Sequence, residues 1–174
     1  NAVTARFGSY SMGTSGGSGL KFAYDSSWMA NMATQSHTID FWYRFATYPS
    51  SPGYALFTGE TDGQYSCFRH HHPTMNYPHT GGVGWGGSET GIKNNYVQNT
   101  WYHFAQVYDS TSGHKGYVDG VLDMNEAVTG STAVGSNLSI MGDWGGANTY
   151  YPAAGCYMDE FRISVGIARW TANF

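Results

Sequence analysis

The stretch CYMDEFRISV, residues 156–165, alternates as a β-strand does. Tyr157, Asp159, Phe161, Ile163 and Val165 fall on one side; Met158, Glu160, Arg162 and Ser164 fall on the other. Asp159 is the misfit, a carboxylate on the apolar side. It needs hydrogen-bond donors or a cation there, because an ionised carboxylate left unpaired in apolar surroundings is too costly.

Further segments read as strands on either side of this one: GLKFAY (19–24), HTIDFWYRF (37–45), GYALFTG (53–59), GQYSCFRH (63–70), TWYHFAQVYD (100–109), HKGYVDGVLDM (114–124) and NLSIMG (137–142). In HTIDFWYRF, Ile39, Phe41, Tyr43 and Phe45 share one face and Thr38, Asp40, Trp42 and Arg44 the other, which predicts a strand covered on one side. The segment 101–109 is aromatic on both faces and is expected mid-sheet, packed on each side. Asp119-Gly120 between apolar runs predicts a tight hairpin, since glycine accepts the positive φ of a primed turn.

The segments 8–19, 47–53, 70–82 and 142–155, rich in Gly, Ser, Pro and Asn, read as loops. No helix of ordinary length is expected; the tail SVGIARWTANF has room for one helical turn around Ile167 to Trp170. Many short strands also suit the composition, 17% aromatic and only 11% charged with 24 glycines among 174 residues. The length fits a single domain, 1–174, able to stand as one module of a longer chain.

Eight basic and twelve acidic residues give a net charge of -4, and no Lys or Arg cluster could track a phosphate backbone, so nucleic acid is not expected as a partner. No apolar run approaches bilayer length, and the first residues lack the regions of a signal peptide, so no membrane partner is expected. Cys67 and Cys156 belong to no CxxC pair, which leaves a disulfide or two thiols.

Taken in order, GSGLKFAYDSSWM, HTIDFWYRF, NTWYHFAQVYD, GYVDGVLDM and CYMDEFRISVGIARWTANF resemble the laminin G-like branch of the concanavalin A-like lectin and glucanase superfamily. The terminal DEFRIS..IAR.T.NF pattern is similar to domains of phage tail or capsid-fibre proteins and of secreted bacterial proteins. The resemblance implies an all-β, two-sheet antiparallel jelly-roll sandwich that binds ligands on a concave sheet or along its rim. It also implies that the family's opening strand is shortened or absent here, leaving an edge for a loop or a neighbouring subunit to cap.

The resemblance further implies a structural calcium ion at Asp159, held together with backbone carbonyls of the N-terminal segment; calcium is a hard cation that takes several oxygens, and since one carboxylate rarely suffices, Asp25 in AYDSS is the candidate second ligand. The alternative for Asp159 is a carboxylate accepting backbone N–H groups. Retaining glycosidases of the superfamily carry three acidic residues on one strand, and its alginate lyases carry R-x-E-L-R and Q-I-H strands. None of these patterns occurs, and no G-x-S-x-G elbow does either. Asp40 stands alone, so no enzymatic activity is expected.

A pyranose offers an apolar C–H face and a rim of hydroxyls, so its site needs a flat aromatic and planar polar groups. The loops supply His72, Tyr77, Trp85, Asp143, Trp144, Asn148 and Tyr150, with Trp85 and Trp144 each beside two glycines. His70, His72 and His79 could form a three-imidazole metal site, although no nearby carboxylate would orient them. The expected function is non-catalytic carbohydrate binding, outside a cell or on a virion surface, with a glycan or polysaccharide as partner. The alternative is a structural or decoration protein of virion or fibre that self-associates or packs on other virion proteins through the same fold.

Overall fold

The computed structural model describes residues 5–13, 20–32, 34–46, 53–58, 66–70, 78–80, 96–126, 137–141 and 155–174. These form two antiparallel sheets. One has six strands in the order β1 (Met12–Gly13), β11 (Cys156–Val165), β3 (His37–Phe45), β7 (Tyr102–Asp109), β8 (Gly113–Val118), β9 (Val121–Glu126). The other has five: β2 (Leu20–Ala23), β10 (Asn137–Ile140), β4 (Gly53–Thr58), β5 (Ser66–His70), β6 (Pro78–Thr80). The expected sandwich and all eight expected strands are present. Segments read as loops contribute β1 and β6, which are too short to show a period. Among the described residues one helix, α1 (Met29–Met32), buries Met29 and Met32.

The core lies between the sheets because strand period aims alternate side chains there. Ile39, Phe41, Tyr43 and Phe45 are each at most 1% exposed, and they pack with Tyr102, Phe104, Val118, Leu138 and Ile140. Cys156 also lies in this core, where burial pushes its thiol up to about 11 against a hydrogen bond from Tyr43. The Cys67 side chain lies outside the described residues, and with it the question of pairing.

At the hairpin tip Asp119 and Gly120 take φ of 51° and 77°, the pair of positive angles that a type I′ turn demands. Gly120 is required twice over. A Cβ there would overlap the Phe174 carbonyl, while the Phe174 N–H donates to the Gly120 carbonyl at 2.9 Å.

Strand β11 departs from simple alternation. Asp159 pairs with Trp42 and Arg162 with Asp40, so two residues, Glu160 and Phe161, oppose Phe41 alone. This is a β-bulge, with Glu160 at a left-handed φ of 51°. One extra residue inverts the parity. Cys156 and Met158 face the core before the bulge, and Phe161, Ile163 and Val165 pack on it afterwards. Asp159 is therefore not on the face of Phe161. It lies with Trp42, Asp40 and Arg162 on the outer face, which corrects the reading of 156–165 as one uninterrupted alternation.

The outer face of β3 is also covered, against the one-sided expectation. Thr38 and Asp40 are buried, Thr38 in contact with the C-terminal tail, which contains no helical turn. Its backbone is engaged by sheet side chains instead. The Thr38 hydroxyl donates to the Ile167 carbonyl and accepts from the Arg169 N–H, both at 3.0 Å. Ala168 and Trp170 pack on Ala105, Val107 and Tyr117, so β7 is covered on both sides as expected.

Candidate functional site on the outer face of the six-stranded sheet

Pairing register assembles the site. Arg162 stands opposite Asp40, and His103 opposite Trp42. The Arg162 guanidinium donates through Nε to Asp40 Oδ1 at 3.0 Å and through Nη2 to Oδ2 at 2.8 Å, the bidentate fork that makes Arg–carboxylate pairs strong. His103 Nε2 lies 3.4 Å from Oδ2. Asp40 is 3% exposed, whereas 49% of the Arg162 side chain meets solvent. Burial alone would raise the Asp40 pKa. The hydrogen bonds and charges of His103 and Arg162 outweigh it and hold the carboxyl below its ordinary value.

Asp159 anchors the N-terminal segment. Its Oδ2 accepts the N–H groups of Arg6 at 2.8 Å and Phe7 at 3.0 Å, and its Oδ1 accepts that of Glu160 at 2.9 Å. So held, the Arg6 guanidinium lies 4.4 Å over the Trp42 ring and 4.6 Å over Phe7, and Phe7 meets Trp42 edge-on at 5.7 Å. Asp25 does local work: its Oδ1 accepts the Ser27 N–H at 2.9 Å, and Ser27 holds its carboxyl below the usual range. Among the described residues no three His, Cys, Asp or Glu side chains gather as a metal site.

Beside these groups opens a cleft of about 580 Å³ lined by Phe7, Asp40, Trp42, His103, Glu160, Phe161 and Arg162. It combines aromatic surface, the remaining N–H groups of a half-exposed guanidinium and the exposed carboxylate of Glu160. Asp40 cannot readily serve as a general acid here, being held ionised with both oxygens engaged.

The sequence-predicted residues His72, Tyr77, Trp85, Asp143, Trp144, Asn148 and Tyr150 lie outside the described residues. His70 and His79 fall on β5 and β6, but their side chains are likewise outside. The Asp40–Arg162–His103 group was not legible as a set. Its one sequence signal was a carboxylate, Asp40, amid the aromatic and aliphatic residues of 39–43, which asks for a partner without naming it.

A family profile described as the concanavalin A-like lectin/glucanases superfamily matches residues 14–166, while comparison with curated proteins finds no match. Among solved structures, domain 4 of AbnA, a GH43 extracellular arabinanase from Geobacillus stearothermophilus in complex with arabinotriose, is similar over 90% of this chain and 70% of that one, with TM-score 0.62 and 16% identity. The Trypanosoma rangeli sialidase in complex with the inhibitor DANA matches over 94% of this chain, which spans only 26% of the sialidase, with TM-score 0.61 and 14% identity. A heptameric SAP-like pentraxin from Limulus polyphemus matches over 75% of this chain and 64% of its own, with TM-score 0.52 and 15% identity. At these identities the likeness shows the fold, and with the profile spanning most of the sequence, this chain belongs to the concanavalin A-like lectin/glucanases superfamily.

Proposed function

We propose that this protein is a non-catalytic carbohydrate-binding domain, acting where glycans are displayed, outside a cell or on a virion. The observation that carries the reading is the outer-face cleft, where aromatic rings stand beside the planar Asp40–Arg162 pair. Sugars need such a site: C–H faces stack on rings and hydroxyls pair with planar polar groups. A domain of this fold solved with arabinotriose supports it. The occupied oxygens of Asp40 support a binding role over a hydrolytic one.

The sequence-predicted residues around Trp144 remain a second candidate for the same ligand, and one experiment separates the two. On a glycan array that wild type labels, either Phe7→Ala or Trp144→Ala should weaken binding by about 1 to 3 kcal/mol with Tm nearly unchanged, and the variant that does so locates the site. If neither changes binding, both placements fall. If wild type labels no glycan, the structural reading takes over. It is favoured by an apolar groove of about 400 Å³ between β1 and β2, where Tyr10 is 77%, Leu20 50% and Phe22 45% exposed.

Calcium is tested by melting curves. The neighbours identified around Asp159 are N–H donors, whereas calcium requires oxygens. If calcium is held there, chelator should lower Tm and Asp159→Ala should remove that response, whereas an unchanged Tm in chelator leaves Asp159 as the acceptor of these N–H groups. A calcium-dependent rise in Tm that Asp159→Ala abolishes would place the ion at this carboxylate.

A further inference from the structure

We infer that the cleft selects neutral over acidic glycans and that Glu160 sets this preference; the inference rests on the cleft being the glycan site. Among the described residues, the Arg162 guanidinium lines the cleft and that of Arg6 lies over two of its rings. The Arg162 charge is matched by buried Asp40 through two hydrogen bonds, and the Arg6 guanidinium is spread over the Phe7 and Trp42 rings. Against them stand three carboxylates, Asp40, Asp159 and Glu160, of which Glu160 is the exposed one on the cleft wall.

The position of Glu160 is set by the bulge. At that irregularity Phe161 packs against the core while still bordering the cleft, and Glu160 stands exposed on its wall, at a φ of 51° that glycine would adopt more easily. Backbone outliers of this kind cluster at binding and catalytic sites. A sugar hydroxyl can donate to the Glu160 carboxylate while accepting from the outward N–H groups of Arg162. The carboxylate of an acidic sugar would instead meet the exposed Glu160 carboxylate, at a place where, among the described residues, the three carboxylates outnumber the two guanidiniums.

The test uses the whole chain on an array carrying both neutral and acidic glycans. Calorimetry follows on the best-labelled glycan and its counterpart of opposite class, such as lactose against sialyllactose or galactotriose against trigalacturonate. The neutral member should bind at least roughly tenfold more tightly, with an affinity insensitive to salt. Glu160→Gln should shrink that ratio at least about threefold. Glu160→Gly, which suits the left-handed backbone and so should fold, should shrink it as well. An acidic glycan bound as well as its neutral counterpart overturns the inference, as does an unchanged ratio in both variants. Absence of all labelling removes instead the glycan reading on which it rests.

Discussion

Arg162→Met is expected to destabilise the protein by about 2 to 3 kcal/mol, far more than a half-exposed side chain usually costs. The substitution removes the two donors at 3.0 and 2.8 Å and leaves Asp40, 3% exposed, facing only His103 at 3.4 Å. Breaking a fully buried pair costs about 3–5 kcal/mol, and solvent at the guanidinium lowers the figure here. Arg162→Lys should rescue little, because an ammonium cannot form the fork. The double variant Asp40→Asn/Arg162→Met should be less destabilised than the sum of its parts, since no buried charge is left unpaired. Urea denaturation measures the wild type, Arg162→Met, Arg162→Lys, Asp40→Asn and the double variant. A loss below about 0.5 kcal/mol for Arg162→Met would make the pair an ordinary surface ion pair.

The second large effect is a loss of stability between neutral pH and pH 4. His37 is fully buried on the inner face of β3, its Nδ1 3.1 Å from the Gln35 carbonyl. The Tyr108 ring lies tilted against it and against His114, with ring centroids 5.3 and 4.7 Å apart. Burial, with the nearby His114, lowers its pKa from 6.5 to about 4, against the hydrogen bond to Gln35, which raises it.

The unfolded chain therefore takes up this proton before the folded one does. Stability from His37 is complete above pH 6.5, declines as pH falls, and is gone below about 4, a loss of about 3 kcal/mol. Asp40, whose folded pKa is lowered, loses its contribution only at still lower pH. Urea midpoints from pH 7 to 4 should trace this decline, and His37→Asn, which keeps a donor but cannot gain the proton, should flatten it. A wild-type profile already flat over that interval would overturn the assignment.

The two carboxylates of the site show how far strand periodicity reaches. Asp40 was correctly placed on the face opposite Phe41, yet it read as solitary because its partners lie on β7 and β11, 63 and 122 positions away. Asp159 was placed on the wrong face. The requirement that it find donors was sound, and the N–H groups of Arg6, Phe7 and Glu160 meet it. Those groups include an N-terminal segment that no local pattern ties to residue 159.

The sequence by itself determined the sandwich: alternating apolar residues specify strands and their inner faces, and Asp119-Gly120 specifies its hairpin, because these depend on local sterics and on burying every second side chain. Tertiary structure alone decided the site. A bulge adds one residue to a period of two and so exchanges the faces of everything beyond it. Its position is set by how β11 registers against β3, a property of two strands that neither carries alone.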